Sequence, residues 1–197
     1  MLNLFGGRKL GLVGLDISAS AIKLLELSGG DGGYVVESYG VEPLPENTVV
    51  EQNIVDVEAV AEAIKRLQAS TQFKSKAAAV AVAGSAVITK TIEVPASLKE
   101  NQIEEQLLMD ADQYIPYPLD EVALDFQVLE TTARSEDMVD MLIAACRQEH
   151  IESRQAAVEA SGLSPEVIDI EAHCVQRAIA LDLELFTRDP ALGVPDV

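Results

Sequence analysis

Three apolar runs, residues 10–17, 21–28 and 33–42, stand almost end to end, separated only by Ser18-Ala-Ser20 and by Gly29-Gly-Asp-Gly-Gly33. Gaps this short, built from small residues, leave no room for the crossover of a dozen or more residues that parallel neighbours need, so the runs are predicted to form an antiparallel meander. A loop carrying Pro43 and Pro45 follows. Asp56 then precedes a stretch with Val57, Val60, Ile64 and Leu67 on one helical face, an N-capped amphipathic helix. Residues 77–83, Ala-Ala-Ala-Val-Ala-Val-Ala, show no polar face to water and are predicted as a central strand buried on both sides. The first 85 residues therefore read βββαβ.

The next block reads as a module of its own. Val87 to Val94 is a strand, and Ser97 with Glu100 forms a capping box for a helix carrying Ile103, Leu107, Ala111 and Tyr114. Pro116 and Pro118 stop that helix. Val122, Leu124, Phe126 and Val128 alternate with residues of the opposite face in a half-exposed strand, and a turn at Arg134-Ser-Glu-Asp137 leads into a strand over 138–145. This block is βαββ. A helix over about 149–161 ended by Gly162, a short strand Glu166–Ile170, a helix from Glu171 to about Phe186 and a loop from Asp189 complete the chain.

Charge narrows the function classes. With 33 acidic residues against 14 basic ones the net charge is −19, a surface that repels nucleic-acid phosphates and anionic headgroups, so neither is expected as a partner. No apolar run approaches the ~20 residues of a membrane span, and Met1-Leu-Asn-Leu-Phe-Gly-Gly is too short for a signal-peptide core. Cys146 and Cys174 form no C-x-x-C pair or disulfide framework, which suits a reducing cytoplasm. His150 and His173 lack zinc spacing, and Asp110 and Asp112 do not share a helix face. Gly6-Gly-Arg-Lys9 lacks the ending of a phosphate-binding loop. Ser20-Ala-Ile-Lys23 spells a penicillin-binding Ser-x-x-Lys, but on a strand and without its companion motifs.

The first hairpin is where chemistry gathers. Asp16, Ser18, Ala19, Ser20 and Lys23 place a carboxylate, hydroxyls, turn N–H groups and an ammonium at one point, a set suited to a polyphosphate and its metal. The pattern resembles the first phosphate hairpin of actin-like ATPases, Asp-x-Gly-Ser/Thr with a following Lys, except that Ser18 stands where glycine is expected. Glycine lets backbone N–H groups approach phosphate closely, whereas a serine hydroxyl can donate to it directly.

The resemblance extends further. Leu15-Asp-Ile-Ser with Ile22-Lys-Leu-Leu-Glu-Leu27, Tyr114-Ile-Pro-Tyr-Pro-Leu119 with Glu121-Val-Ala-Leu-Asp-Phe-Gln-Val-Leu129, and Val139-Asp-Met-Leu-Ile-Ala-Ala145 with Ser153-Arg-Gln-Ala-Ala157 resemble the PilM family of type IV pilus assembly proteins, similar in turn to the division protein FtsA. The resemblance runs from about residue 10 to 195.

It implies an α/β fold: a ribonuclease-H-like, actin-like domain I, with subdomain 1A at 1–85 and 147–197 and an inserted βαββ subdomain 1C at 86–146. The second actin-like half, with the adenosine-binding elements, is expected to be missing from this chain. The implied function is a cytoplasmic scaffold, peripheral to the inner membrane through a protein partner. It takes the N-terminal tail of PilN between 1A and 1C and meets other pilus alignment or motor proteins, with homo-oligomers an open expectation.

ATP and Mg²⁺ are implied as conformational ligands of the full-length protein, held by Asp16, Ser18, Ala19, Ser20 and Lys23 with Asp16 on the metal through water. This chain alone is expected to bind them weakly or not at all, and the whole protein to be at most a weak ATPase. Glu171 matches the site where actins position the attacking water, and it equally suits a plain helix N-terminus. Ile103, Leu107, Tyr114, Ile115 and Arg154 are the expected partner-facing residues. The alternatives are an FtsA-like division filament protein, which would carry a C-terminal amphipathic helix, and an ATP-dependent small-molecule kinase, against which the βαββ block and the Tyr-Ile-Pro-Tyr-Pro segment speak.

Overall fold

The computed structural model describes residues 11–30, 33–129 and 137–188. In chain order the elements are β1 (Val13–Ile17), β2 (Ala21–Gly30), β3 (Gly33–Pro43), β4 (Val49–Val50), β5 (Asn53–Ile54), α1 (Val57–Thr71), β6 (Ala77–Val82), β7 (Val87–Pro95), α2 (Glu100–Asp110), β8 (Val122–Val128), β9 (Met138–Arg147), α3 (Gln148–Ala160), β10 (Ser164–Ile170) and α4 (Glu171–Arg188). Residues 1–10 with Gly6–Lys9, positions 31 and 32 of the glycine turn, Arg134–Glu136 of the turn before β9, and the tail from Asp189 lie outside the described residues. Among the described residues two compact units separate, one up to Gly84 and again from Ser153 onward, the other Ser85–Glu152.

The first unit is built on a mixed sheet ordered β10-β6-β1-β2-β3. β1, β2 and β3 are antiparallel neighbours, whereas β6 and β10 run parallel to β1. An antiparallel meander continued by two parallel strands on its first member is the ribonuclease-H-like arrangement of an actin-like half. The period of two along β1 turns Val13, Leu15 and Ile17 to one face, where they join Ile22, Leu24, Ala78 and Val80. α1 covers this face with Val60, Ile64 and Leu67, and α3 adds Ala157 and Val158. Burying each such aliphatic side chain contributes about 1.5–3 kcal/mol, which sets α1 against the sheet. Asp56 caps α1, its Oδ1 accepting from the Ala59 N–H at 2.9 Å. α1 also comes close to β3: a Cβ on Gly40 would stand 2.5 Å from Thr71 Cγ2.

One buried acid organises the return from α1 to β6. Glu26 is 7% exposed, and its carboxylate accepts from the Ser75 N–H at 2.9 Å and, with both oxygens at 3.2 Å, from the Lys74 N–H. Two expectations change in this unit. The segment after Pro45 is not all loop, because β4 and β5 form a tight hairpin; strands of two residues are too short for an alternation to be legible. β6 is not buried on both faces: Ala78, Val80 and Val82 are buried while Ala77, Ala79 and Ala81 are half-buried.

The second unit is an antiparallel sheet ordered β7-β9-β8 with α2 packed on it. Val94, Ile103, Leu107, Met141 and Ile143 form its core, and Ala111, Ile115 and Ala145 a smaller cluster. The βαββ order is present, but α2 starts at Glu100 rather than after Ser97. The backbone N–H of Lys99 donates to Gln102 Oε1 at 3.0 Å, so the side chain that reaches back lies two residues beyond the predicted one. Tyr117 is 37% exposed, with the Arg147 guanidinium 5.0 Å above its ring.

Candidate functional site

The register of β1 against β2 sets Asp16 opposite Lys23, one pair inside the turn. Both side chains leave the face that does not meet α1, because Leu15, Ile17, Ile22 and Leu24 take the other. Lys23 Nζ lies 2.7 Å from Asp16 Oδ2, and both groups are about half exposed (50% and 51%). An ion pair so open to water is screened and weak, so Lys23 can exchange its carboxylate for another anionic oxygen at little cost. The hydrogen bond to Asp16, followed by its charge, holds the Lys23 ammonium above the ordinary lysine value.

The turn is closed from within. Ser18 donates to the Ala21 carbonyl twice, from its N–H at 3.1 Å and from its hydroxyl at 2.8 Å. The serine hydroxyl is therefore spent on the turn, which corrects the expectation that it faces a phosphate. Ser18, Ala19 and Ser20 are not among the left-handed residues of the chain, so this turn does not require the glycine usual in the pattern.

A cavity of about 890 Å³ opens on this outer face. Its floor is made by Gly14 of β1 and by Ala79 and Ala81 of β6, small residues that hollow the sheet surface. Asp16, Lys23, Leu25 and Tyr39 line one side; Val167, Asp169, Glu171, Cys174 and Arg177 line the other. Asp169 is engaged by the Arg177 guanidinium. Burial pushes the Cys174 thiol up, and the Asp169 charge adds to the shift. Glu171 is the first residue of α4, directly after β10, at the strand-to-helix junction predicted for it. No group of three or more His, Cys, Asp or Glu suited to a metal ion occurs among the described residues. A magnesium ion there would need phosphate oxygens for most of its ligands, with Asp16 reaching it through water.

The structure thus gathers Asp16, Ser18, Ala19, Lys23 and Glu171 around one cavity. Ser20 does not line it; its carbonyl accepts from the Leu44 N–H at 2.9 Å. The expected partner-facing residues need correction. Ile103, Leu107 and Ile115 are 3–4% exposed inside the second unit, because their helical spacing serves that unit's core. Tyr114 is half-buried, with the Lys90 ammonium 5.7 Å above its ring. The exposed apolar residues of α2 are instead Leu108 and Met109. Arg154 is 2% exposed and belongs to the cavity wall: its Nε donates to the Ala81 carbonyl at 2.8 Å and its Nη2 to the Gln52 carbonyl at 3.0 Å.

Gln52, Asp169 and Arg177 line the cavity and escaped the reading of the sequence. Asp169 carried a signal, a carboxylate inside the apolar run Val167-Ile-Asp-Ile170. Gln52 carried none.

Residues 14–191 match the family model described as type IV pilus assembly protein PilM. The chain belongs to the PilM family. It is similar to a chain of the PilM–PilN type IV pilus biogenesis complex, with a TM-score of 0.74 and 30% identity over 84% of this chain and 48% of that one. This member of the PilM family therefore spans about half the length of that relative. Fainter likeness reaches the cytoplasmic domain of EpsL, an inner membrane component of the type II secretion system of Vibrio cholerae. That match has a TM-score of 0.49 and 15% identity, and covers 81% of this chain and 56% of that one. Among the described residues no helix is long and apolar enough to cross a membrane.

Proposed function

We propose that this chain is the first half of a PilM-type scaffold that docks the N-terminal cytoplasmic tail of PilN and links cytoplasmic pilus machinery to the inner membrane through that partner. Residues 1–85 with 147–197 act as subdomain 1A and 86–146 as the inserted 1C. The observation that carries the reading is the 30% identity, at a TM-score of 0.74, to a chain of a PilM–PilN complex.

In the full-length protein, Mg-ATP serves as a conformational ligand. Lys23 meets phosphate oxygens, Asp16 holds the magnesium through water, and the turn N–H at Ala19, which lines the cavity, faces the phosphates. The pairing of Asp16 and Lys23 at the mouth of an 890 Å³ cavity that Glu171 also lines supports this part. Glu171 orients a water molecule, and turnover is slow at most.

The test is calorimetric titration of the chain with a synthetic PilN-type N-terminal peptide, with and without Mg-ATP. Binding that persists without nucleotide is the expected outcome. No binding to a chain shown to unfold cooperatively would refute a docking site carried by this half.

A further inference from the structure

We propose that Gln52 is a ligand-contacting residue of this cleft, held by Arg154 over the phosphate end of the bound nucleotide. The inference rests on the nucleotide reading above. β4 and β5 are joined by only two residues, Glu51 and Gln52, and both have left-handed backbones (φ 49° and 68°). Turns of this kind favour Gly, which has no Cβ to crowd the following carbonyl at positive φ, and Asn, whose short amide offsets that crowding with a local hydrogen bond. Glutamate and glutamine are costly choices there, and strain of this sort persists where the surroundings hold it and a site uses it.

The surroundings do hold it. Arg154, almost wholly buried, divides its donors between the Gln52 carbonyl (3.0 Å) and the Ala81 carbonyl near the end of β6 (2.8 Å). β6 runs parallel to β1, and ligands of such sheets collect at the carboxyl ends of the parallel strands. One guanidinium therefore ties the strained turn to the strand end beside Asp16, and Gln52, Ala81, Arg154, Asp16 and Lys23 all line one cavity. The Gln52 carboxamide supplies a neutral donor to a terminal phosphate oxygen without repelling it, a role the neighbouring carboxylates cannot fill.

Gln52→Gly separates this role from a structural one, because the two move in opposite directions. Glycine relaxes the left-handed turn, so the melting temperature rises by about 2–3 °C. Loss of the carboxamide weakens Mg-ATP binding about tenfold, the fold-change of one hydrogen bond to a charged group, while Mg-ADP binding changes far less. The experiment uses the full-length protein that contains this chain, with calorimetry for Mg-ATP and Mg-ADP and thermal unfolding beside it. Lys23→Met serves as the control and weakens both nucleotides. If Lys23→Met weakens binding but Gln52→Gly leaves Mg-ATP affinity unchanged, the role of Gln52 is overturned and the nucleotide site stands. If the unaltered protein binds neither nucleotide, or Lys23→Met has no effect, the nucleotide reading falls and takes this inference with it.

Discussion

Glu26→Ala tests how the sheet of the first unit is closed. The side chain is 7% exposed, and it terminates two backbone donors, the N–H groups of Lys74 and Ser75. Ser75 is itself 1% exposed, so after truncation its N–H has no ready access to water. A hydrogen bond to a charged acceptor is worth about 1.5–3 kcal/mol, and an orphaned buried donor costs about 1–3 kcal/mol. The Lys74 bond is long and shared between both oxygens, so it counts at the low end. Relief from burying a carboxylate offsets part of the loss, leaving about 3 kcal/mol of destabilisation. Glu26→Gln keeps one acceptor and loses about 1–2 kcal/mol. Urea unfolding followed by circular dichroism reads both, with a fall in melting temperature of about 10 °C expected for the alanine variant. The exposed Glu62→Ala is the control. A Glu26→Ala cost below about 1 kcal/mol would refute the argument, since the two N–H groups would then have found other partners.

Two further outcomes concern Gly40 and Lys23. Gly40→Ala drives a Cβ to 2.5 Å from Thr71 Cγ2 and 2.9 Å from Leu67 Cδ2, so α1 must shift from β3; a loss of about 1–3 kcal/mol in chemical unfolding is expected, and an unchanged midpoint would show that the α1–β3 contact yields freely. The hydrogen bond and charge of Asp16 raise Lys23 above the ordinary lysine value, so an NMR titration is expected to find it there and Asp16→Asn to return it toward that value. Because the folded value is raised, the ion pair's contribution is complete below the unfolded lysine value near 10.5 and is lost as pH rises through the higher folded one. A Lys23 midpoint indifferent to Asp16→Asn would sink the pairing.

The order of elements was legible because its signals are local. Turn lengths of two to five residues dictated the β1–β2–β3 meander, the spacing from Val57 to Leu67 dictated α1, and Gly162, with φ at +87°, marked the end of α3. Asp16 facing Lys23 was also legible, since a short hairpin leaves few registers open. Burial was read less well wherever two faces compete. Ile103, Leu107 and Ile115 have the pattern of any apolar helix face, and nothing in that pattern tells a core from a docking surface. The alanines of β6 looked buried on both sides because small apolar residues serve equally as core and as the floor of a cavity.

By itself the chain of residues determined the order of the longer strands and helices, the family and the hairpin that carries Asp16 and Lys23, whereas the two-residue strands β4 and β5 left no local signal. Only the tertiary structure decided that Arg154 bonds carbonyls 73 and 102 residues away, that Glu26 closes the turn before β6, and that Gln52 stands at the cleft. The physical reason is one of range. A backbone period is written in adjacent side chains, whereas the partner of a buried charge is chosen by whichever unpaired donors and carbonyls the finished fold brings beside it.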